Sequence, residues 1–212
     1  MRDSKEIGTV EPSPGSTDLN QKISNRTAKV GVIGMGYVGV PTMVAVAEAG
    51  FPVTGIDTNE DRVRAINAGQ SYIEDVSDSA LGSLVTKGLI SASTDYGVVR
   101  ELDVILVCVP TPITKFKEPD LAAMEGAVAG LAANMGQQQL IVFQSTTFPG
   151  NTEEFALPAL ERDGQKVGRD FYLAFALERI DPGNRQFLVR DLPKVVGGIT
   201  ETCTEVASTF FS

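Results

Sequence analysis

The 212-residue chain contains no histidine and no tryptophan. Histidine is the side chain whose ordinary pKa lies nearest neutrality, so any acid–base chemistry here falls to Asp, Glu, Lys, Tyr or water. Only two cysteines are present, Cys108 and Cys203, far apart in sequence. That excludes a disulfide framework and a cysteine-built zinc site, and no metal is expected. A reducing cytoplasm is the simplest setting. No apolar run reaches the ~18 residues that suggest a membrane span, and the first residues lack the charged-then-apolar pattern of a signal peptide. No membrane partner is expected. The net charge of −9 argues against a nucleic-acid-binding surface. No internal repeat of short period is evident.

What remains is ordinary for a globular chain. Hydrophobic residues make up 42% and charged residues 21%, and the length suffices for a full core. The first 17 or so residues, with Pro12, Pro14 and Gly15, have almost nothing to bury. A short helix over 18–25 is conceivable, but residues 1–27 as a whole read as a mobile tail, and 28–212 as one folded domain. In that domain short apolar runs alternate with helical patterns. Strands are expected near 30–33, 53–56, 89–93, 103–109, 140–143, 171–175 and 194–197. Helices are expected over 42–49, 60–68, 77–87, 121–135, 151–162 and 200–211. The alternation predicts an α/β fold, a doubly wound, mostly parallel Rossmann-type sheet.

One stretch organises the chain. The run Val30-Gly31-Val32-Ile33 leads into Gly34-Met35-Gly36-Tyr37-Val38-Gly39, then a helix, then Val53-Thr54-Gly55-Ile56 ending on Asp57. Gly34 permits the tight turn, Gly36 lets a pyrophosphate approach the backbone, and Gly39 lets the helix lie close to the sheet. The helix N-terminus offers unpaired N–H groups to phosphate. Asp57, 21 residues after Gly36, stands where an acid accepts ribose hydroxyl hydrogen bonds. A carboxylate there repels a 2′-phosphate, which favours NAD over NADP; Arg62 weakens that preference slightly. A glycine-rich turn without a ligand is the plain alternative.

Two further runs end in loops at strand carboxyl ends, where open α/β sheets bind ligands. Asp103 to Val109 runs into Pro110-Thr111-Pro112, which makes Thr111 a candidate cofactor contact or an incidental threonine in a rigid proline turn. Leu140-Ile141-Val142-Phe143 runs into Gln144-Ser145-Thr146-Thr147-Phe148-Pro149-Gly150, and the 171–175 strand leads to Ala176-Leu177-Glu178-Arg179. Glu178 could orient or deprotonate water, or pair with Arg179 as a solvated loop acid. Cys108 reads as an inert thiol within a core strand.

The glycine loop, Ser71-Tyr72-Ile73-Glu74-Asp75-Val76, Cys108-Val109-Pro110-Thr111-Pro112, Ser145 to Glu154 and Glu178-Arg179-Ile180-Asp181-Pro182-Gly183-Asn184 follow one another in this order. As a set they resemble the amino-terminal domain of the UDP-glucose/GDP-mannose dehydrogenase family, from about Lys29 onward. The second and last stretches look most like the branch acting on UDP-N-acetylhexosamines. The resemblance implies oxidation of a sugar C6 hydroxyl to a carboxylate with two NAD, through a cysteine-bound thiohemiacetal and thioester. It implies that Gly34, Gly36, Tyr37, Val38 and Gly39 hold the pyrophosphate. Asp57 takes the adenosine ribose with Arg62 beside it. Pro110, Thr111 and Thr146 line the nicotinamide side. Thr146 also helps hold a catalytic water, and Glu178 assists thioester hydrolysis. Ala176-Leu177 departs from the family's usual Ser-Pro. The family's nucleophilic cysteine, with its lysine and asparagine helpers, has no counterpart among these residues, and Cys203 matches no such group. The expectation is therefore an NAD-binding domain that is inactive alone, with a UDP-sugar substrate and a homodimer for the full-length protein. A non-catalytic NAD-binding module is the alternative.

Overall fold

A computed structural model describes residues 14–112, 115, 119–145, 150–162, 164–177 and 194–212. Seven strands form one sheet: β1 (Val30–Ile33), β2 (Val53–Ile56), β3 (Ile90–Ser93), β4 (Val104–Val107), β5 (Leu140–Phe143), β6 (Tyr172–Ala176) and β7 (Val196–Gly198). Their order is β3-β2-β1-β4-β5-β6-β7. Each neighbouring pair from β3 to β6 is parallel, and β7 joins antiparallel to β6. All seven expected strands are present.

The central strands β1, β4 and β5 are buried at every position, while the edge strands β3 and β7 are only partly covered. Sequence and placement agree here. Val-Ile-Leu-Val and Leu-Ile-Val-Phe suit strands covered on both faces. Successive side chains divide between the two faces. Val104 and Leu106 enter one core cluster with Met43, Ala47 and Val206, whereas Ile105 and Val107 enter the other with Met124, Val128 and Leu131.

The helices supply the outer layers. They are α1 (Pro14–Ser24), α2 (Gly39–Glu48), α3 (Glu60–Asn67), α4 (Asp78–Thr86), α5 (Ala122–Asn134), α6 (Leu157–Leu160) and α7 (Glu201–Phe211), with a 3-10 turn at Tyr96–Glu101. Side-chain caps fix several starts. Asn59 accepts from the Asp61 and Arg62 N–H groups, Ser77 from Ala80 N–H, and Thr200 from Cys203 N–H. Gly50, at φ 97°, ends α2 in a conformation other residues avoid.

Two expectations are corrected. The tail assigned to residues 1–27 is too long, because Pro14–Ser24 form α1. Leu19 and Ile23, four residues apart, supply the buried stripe, and Lys22 Nζ donates to Asp103 Oδ1 at 3.0 Å. Residues 1–13 lie outside the described residues. The helix expected over 151–162 is a π turn at Asn151–Ala156 followed by the short α6. Pro158, in the first turn of α6, has no N–H to return to the preceding turn, so that turn lacks one regular α bond.

Among the described residues no helix is long and apolar enough to cross a membrane. Ile23 is 1% exposed within the cluster that α7 shares. Ile23→Ala is therefore expected to lower unfolding free energy by about 2–5 kcal/mol in chemical denaturation, the cost of emptying a core site. A loss within measurement error would show that α1 does not dock.

Candidate cofactor cleft

The strand order reverses between β1 and β4, so the connections that leave their carboxyl ends lead in opposite directions along the sheet. In doubly wound sheets this switch point opens a crevice. A cleft of about 680 Å³ occupies it. Its walls are the turn after β1, the acid after β2, Cys108 to Thr111 after β4, the first turns of α5 and the end of β5.

The turn after β1 is shaped by its glycines. Gly34 has φ 91°, and a Cβ on it would stand 2.8 Å from the Cys108 carbonyl oxygen. Gly39 opens α2; a Cβ there would overlap the Gly34 carbonyl and lie 3.5 Å from Val32 Cγ1. Gly36 differs from both. A Cβ on Gly36 would meet nothing within 4 Å, because this side faces the cleft. No side chain caps the start of α2, where Val38 holds the N-cap position. An uncapped helix start behind an open glycine face is a seat for an anion.

Asp57 fixes the other wall. It is 9% exposed, and its bonds run in two directions. Oδ2 accepts from Met35 N–H at 2.8 Å and from Arg62 Nη1 at 3.3 Å, and Oδ1 accepts from Asn59 N–H at 2.9 Å. Carboxylate oxygens accept two donors each, so Oδ1 retains capacity for a ribose hydroxyl. Tyr72, from the link between α3 and α4, donates its hydroxyl to the Met35 carbonyl at 2.7 Å. The Arg62 guanidinium lies 5.9 Å from the Tyr72 ring centre. Burial pushes the Tyr72 phenol up to about 12, opposed by Arg62 and assisted by the Asp57 charge. Burial also raises Tyr96, with the Asp57 charge adding to it.

Gly34, Gly36, Tyr37, Val38, Asp57, Arg62, Pro110 and Thr111 all line the cleft. Gly39 sits one step behind it and sets the helix–strand approach. Thr146 and Glu178 lie outside the described residues. Sequence reasoning missed Tyr96, Gln144, Ser145 and the small face of α5 at Ala123 and Gly126, all of which line the same space. The Ala/Gly content of α5 was the available signal. Cys108, read as an inert core thiol, is buried but stands at the cleft wall one residue past β4, where Sγ donates to Gln144 Oε1 at 3.3 Å. Cys203 is fully buried, and its sulfur accepts from Leu173 N–H and the Thr200 hydroxyl.

Residues 28–212 match the UDP-glucose/GDP-mannose dehydrogenase family, NAD binding domain. The chain belongs to that family. It is 34% identical over 192 residues to the UDP-N-acetyl-D-mannosamine dehydrogenase of Escherichia coli (strain K12), an alignment covering 87% of this chain and 45% of that protein. It is 30% identical to the UDP-N-acetyl-D-glucosamine 6-dehydrogenase of Pseudomonas aeruginosa, covering 86% of this chain and 43% of the relative. Among solved structures, the NDP-N-acetyl-D-galactosaminuronic acid dehydrogenase of Methanosarcina mazei Go1 superposes with a TM-score of 0.81 at 32% identity, covering 91% of this chain and 44% of that one. The chain thus spans less than half the length of these relatives. Its cofactor is NAD, and the cleft fits it: an open glycine face and an uncapped helix start form one wall, and the Asp57 carboxylate stands on the other.

One substitution isolates contact from folding, and a second removes a contact together with a loop anchor. Gly36→Ala adds a methyl group to open space, so the melting temperature should hold while NAD affinity falls about tenfold or more in titration calorimetry, some 1.4 kcal/mol. Unchanged affinity would place the pyrophosphate elsewhere. Asp57→Ala should weaken NAD binding by about 1–3 kcal/mol, the scale of lost charge-assisted hydrogen bonds. An unaltered dissociation constant would mean the acid does not meet the ribose.

Proposed function

We propose that this chain is the cofactor-binding part of a nucleotide-sugar 6-dehydrogenase that oxidises the C6 hydroxyl of a UDP-N-acetylhexosamine, or of UDP-glucose, to a carboxylate with two NAD. The product would serve as a polysaccharide precursor, and the reaction would take place in the cytoplasm. The observation that carries the reading is the switch-point cleft formed by the glycine loop and Asp57 within a domain of this family. Its relatives named for UDP-N-acetyl sugars support the substrate class.

Bound NAD would accept the hydride in each of two oxidations. The chain's own residues would do the rest of the work on this side of the site. Asp57 would hold the adenosine ribose and reject a 2′-phosphate. The Gly36 face and the α2 start would hold the pyrophosphate. Pro110 and Thr111 would bound the nicotinamide side together with Thr146. Thr146 and Glu178 would hold and activate the water that releases the carboxylate, since a glutamate at a strand end can serve as a base in a histidine-free chain. Substrate binding and the covalent step would depend on polypeptide beyond the family's NAD-binding domain, and the full-length protein would act as a homodimer or larger.

A second reading, a non-catalytic NAD-binding module, is favoured by one departure. Ala176 and Leu177 stand before Glu178 in place of the Ser-Pro that the family resemblance implies. Titration calorimetry with NAD, alongside absorbance of NADH during incubation with UDP-N-acetylglucosamine, UDP-N-acetylmannosamine and UDP-glucose, tests the proposal. The expected outcome is NAD binding without turnover by this chain alone. Sustained NADH production would overturn its dependence on further polypeptide, and a folded sample that ignores NAD would overturn the cofactor role.

A further inference from the structure

The glycine loop is held at an unexpected point. Met35 is the variable residue between Gly34 and Gly36, yet three separate contacts fix it. Its side chain is fully buried over Gly55, where any Cβ would collide with the Met35 and Met43 side chains. Its N–H donates to Asp57 Oδ2 at 2.8 Å, and its carbonyl accepts from the Tyr72 hydroxyl at 2.7 Å. The first two contacts fix the residue but leave its carbonyl free to rotate about ψ. Among the described residues, it is Tyr72 that grips that carbonyl.

The grip has a consequence one bond further on. The Met35 carbonyl and the Gly36 N–H belong to one peptide plane. That peptide is trans, since no cis bond occurs among the described residues. In a trans peptide the C=O and N–H point in opposite directions. Drawing the carbonyl to Tyr72 therefore sends the Gly36 N–H to the opposite side. Glycine on one side of this plane, at Gly36, leaves it freer to turn, so an outside anchor has something to correct.

We infer that Tyr72 is a positioning residue for the dinucleotide site: its hydroxyl holds the Met35–Gly36 peptide so that the Gly36 N–H is preset for the pyrophosphate. It touches the loop and not the ligand, and it comes from the link between α3 and α4 rather than from the βαβ unit that carries the glycines. This rests on the NAD reading of the cleft. A donor is required, and a phenol is protonated at physiological pH; burial pushes this one further up, with Arg62 and Asp57 the charged groups that act on it. Of the two phenols that line the cleft, Tyr37 is exposed and Tyr96 packs on Gly130 of α5.

The test compares Tyr72→Phe with Tyr172→Phe. Tyr172 donates its hydroxyl to Gln138 Oε1 at 2.7 Å at the amino end of β6, so it supplies a matched tyrosine hydroxyl deletion away from the cleft. Titration calorimetry would use NAD, ADP-ribose and adenosine, with thermal melts of each protein. For Tyr72→Phe we expect NAD and ADP-ribose to bind about three- to tenfold more weakly, the effect of one neutral hydrogen bond, with adenosine unchanged. The Gly36 amide resonance should shift and its 15N relaxation should show greater mobility in two-dimensional NMR. Tyr172→Phe should lower the melting temperature while leaving all three affinities in place. Equal weakening of adenosine and NAD, or NAD affinity unchanged in a folded Tyr72→Phe protein, would overturn the inference. If Tyr72→Phe does not fold, 15N relaxation of the wild-type Gly36 amide decides: a rigid N–H without NAD would support the inference, and one that is mobile until NAD binds would contradict it. Failure of the wild-type protein to bind NAD would instead overturn the cofactor reading.

Discussion

The hydrogen bond from Met35 N–H to Asp57 Oδ2 joins the two parts of the cleft that must be in register. Met35 belongs to the turn after β1, and Asp57 follows β2. Those strands are parallel neighbours, with Ile33 beside Ile56. The sheet alone brings their ends close, but it does not fix the turn. The buried carboxylate does, because its oxygens need donors at this depth and the turn and the α3 start supply them. Loss of that carboxylate would leave the Met35 N–H without its partner at the same time as it removed the ribose acceptor. Cofactor recognition and local order are thus carried by the same group.

Packing follows from the same arrangement. Gly55 on β2 makes room for Met35 and Met43, so the loop residue that donates to Asp57 is also a core residue. Gly39 lets α2 press its first turn against Gly34. The small face of α5, with Ala123 and Gly126, closes the other side of the cleft without filling it. Each of these is a place where a larger side chain is excluded by a neighbour or by the volume that a dinucleotide needs.

Much of this was legible in the sequence, for identifiable reasons. The seven strands could be read because continuous apolar runs such as Val104-Ile105-Leu106-Val107 are long enough for a covered strand and too short for a helix. The glycine loop and Asp57 could be read because their chemistry is local and their spacing constrained. α1 was underestimated because Leu19 and Ile23 are too few to signal a helix until α7, almost the whole chain away, covers them. The antiparallel direction of β7 has no sequence mark. Tyr96 was missed as a cleft residue, and Tyr72 as an anchor of the glycine loop, because their positions depend on connections whose course no periodicity reveals. Cys108 was placed correctly in depth and wrongly in neighbourhood: a buried thiol at the end of a strand still lines whatever opens beyond it.

The central claim is that NAD sits at the β1–β4 switch point, between the glycine loop and Asp57. Hydrogen–deuterium exchange of the protein with and without NAD tests it most directly. The account predicts that protection on adding NAD is concentrated in 34–39, 57–62 and 108–111. No protection at those segments, or protection confined to the groove on the opposite face lined by Thr42, Phe51 and Phe210, would contradict it.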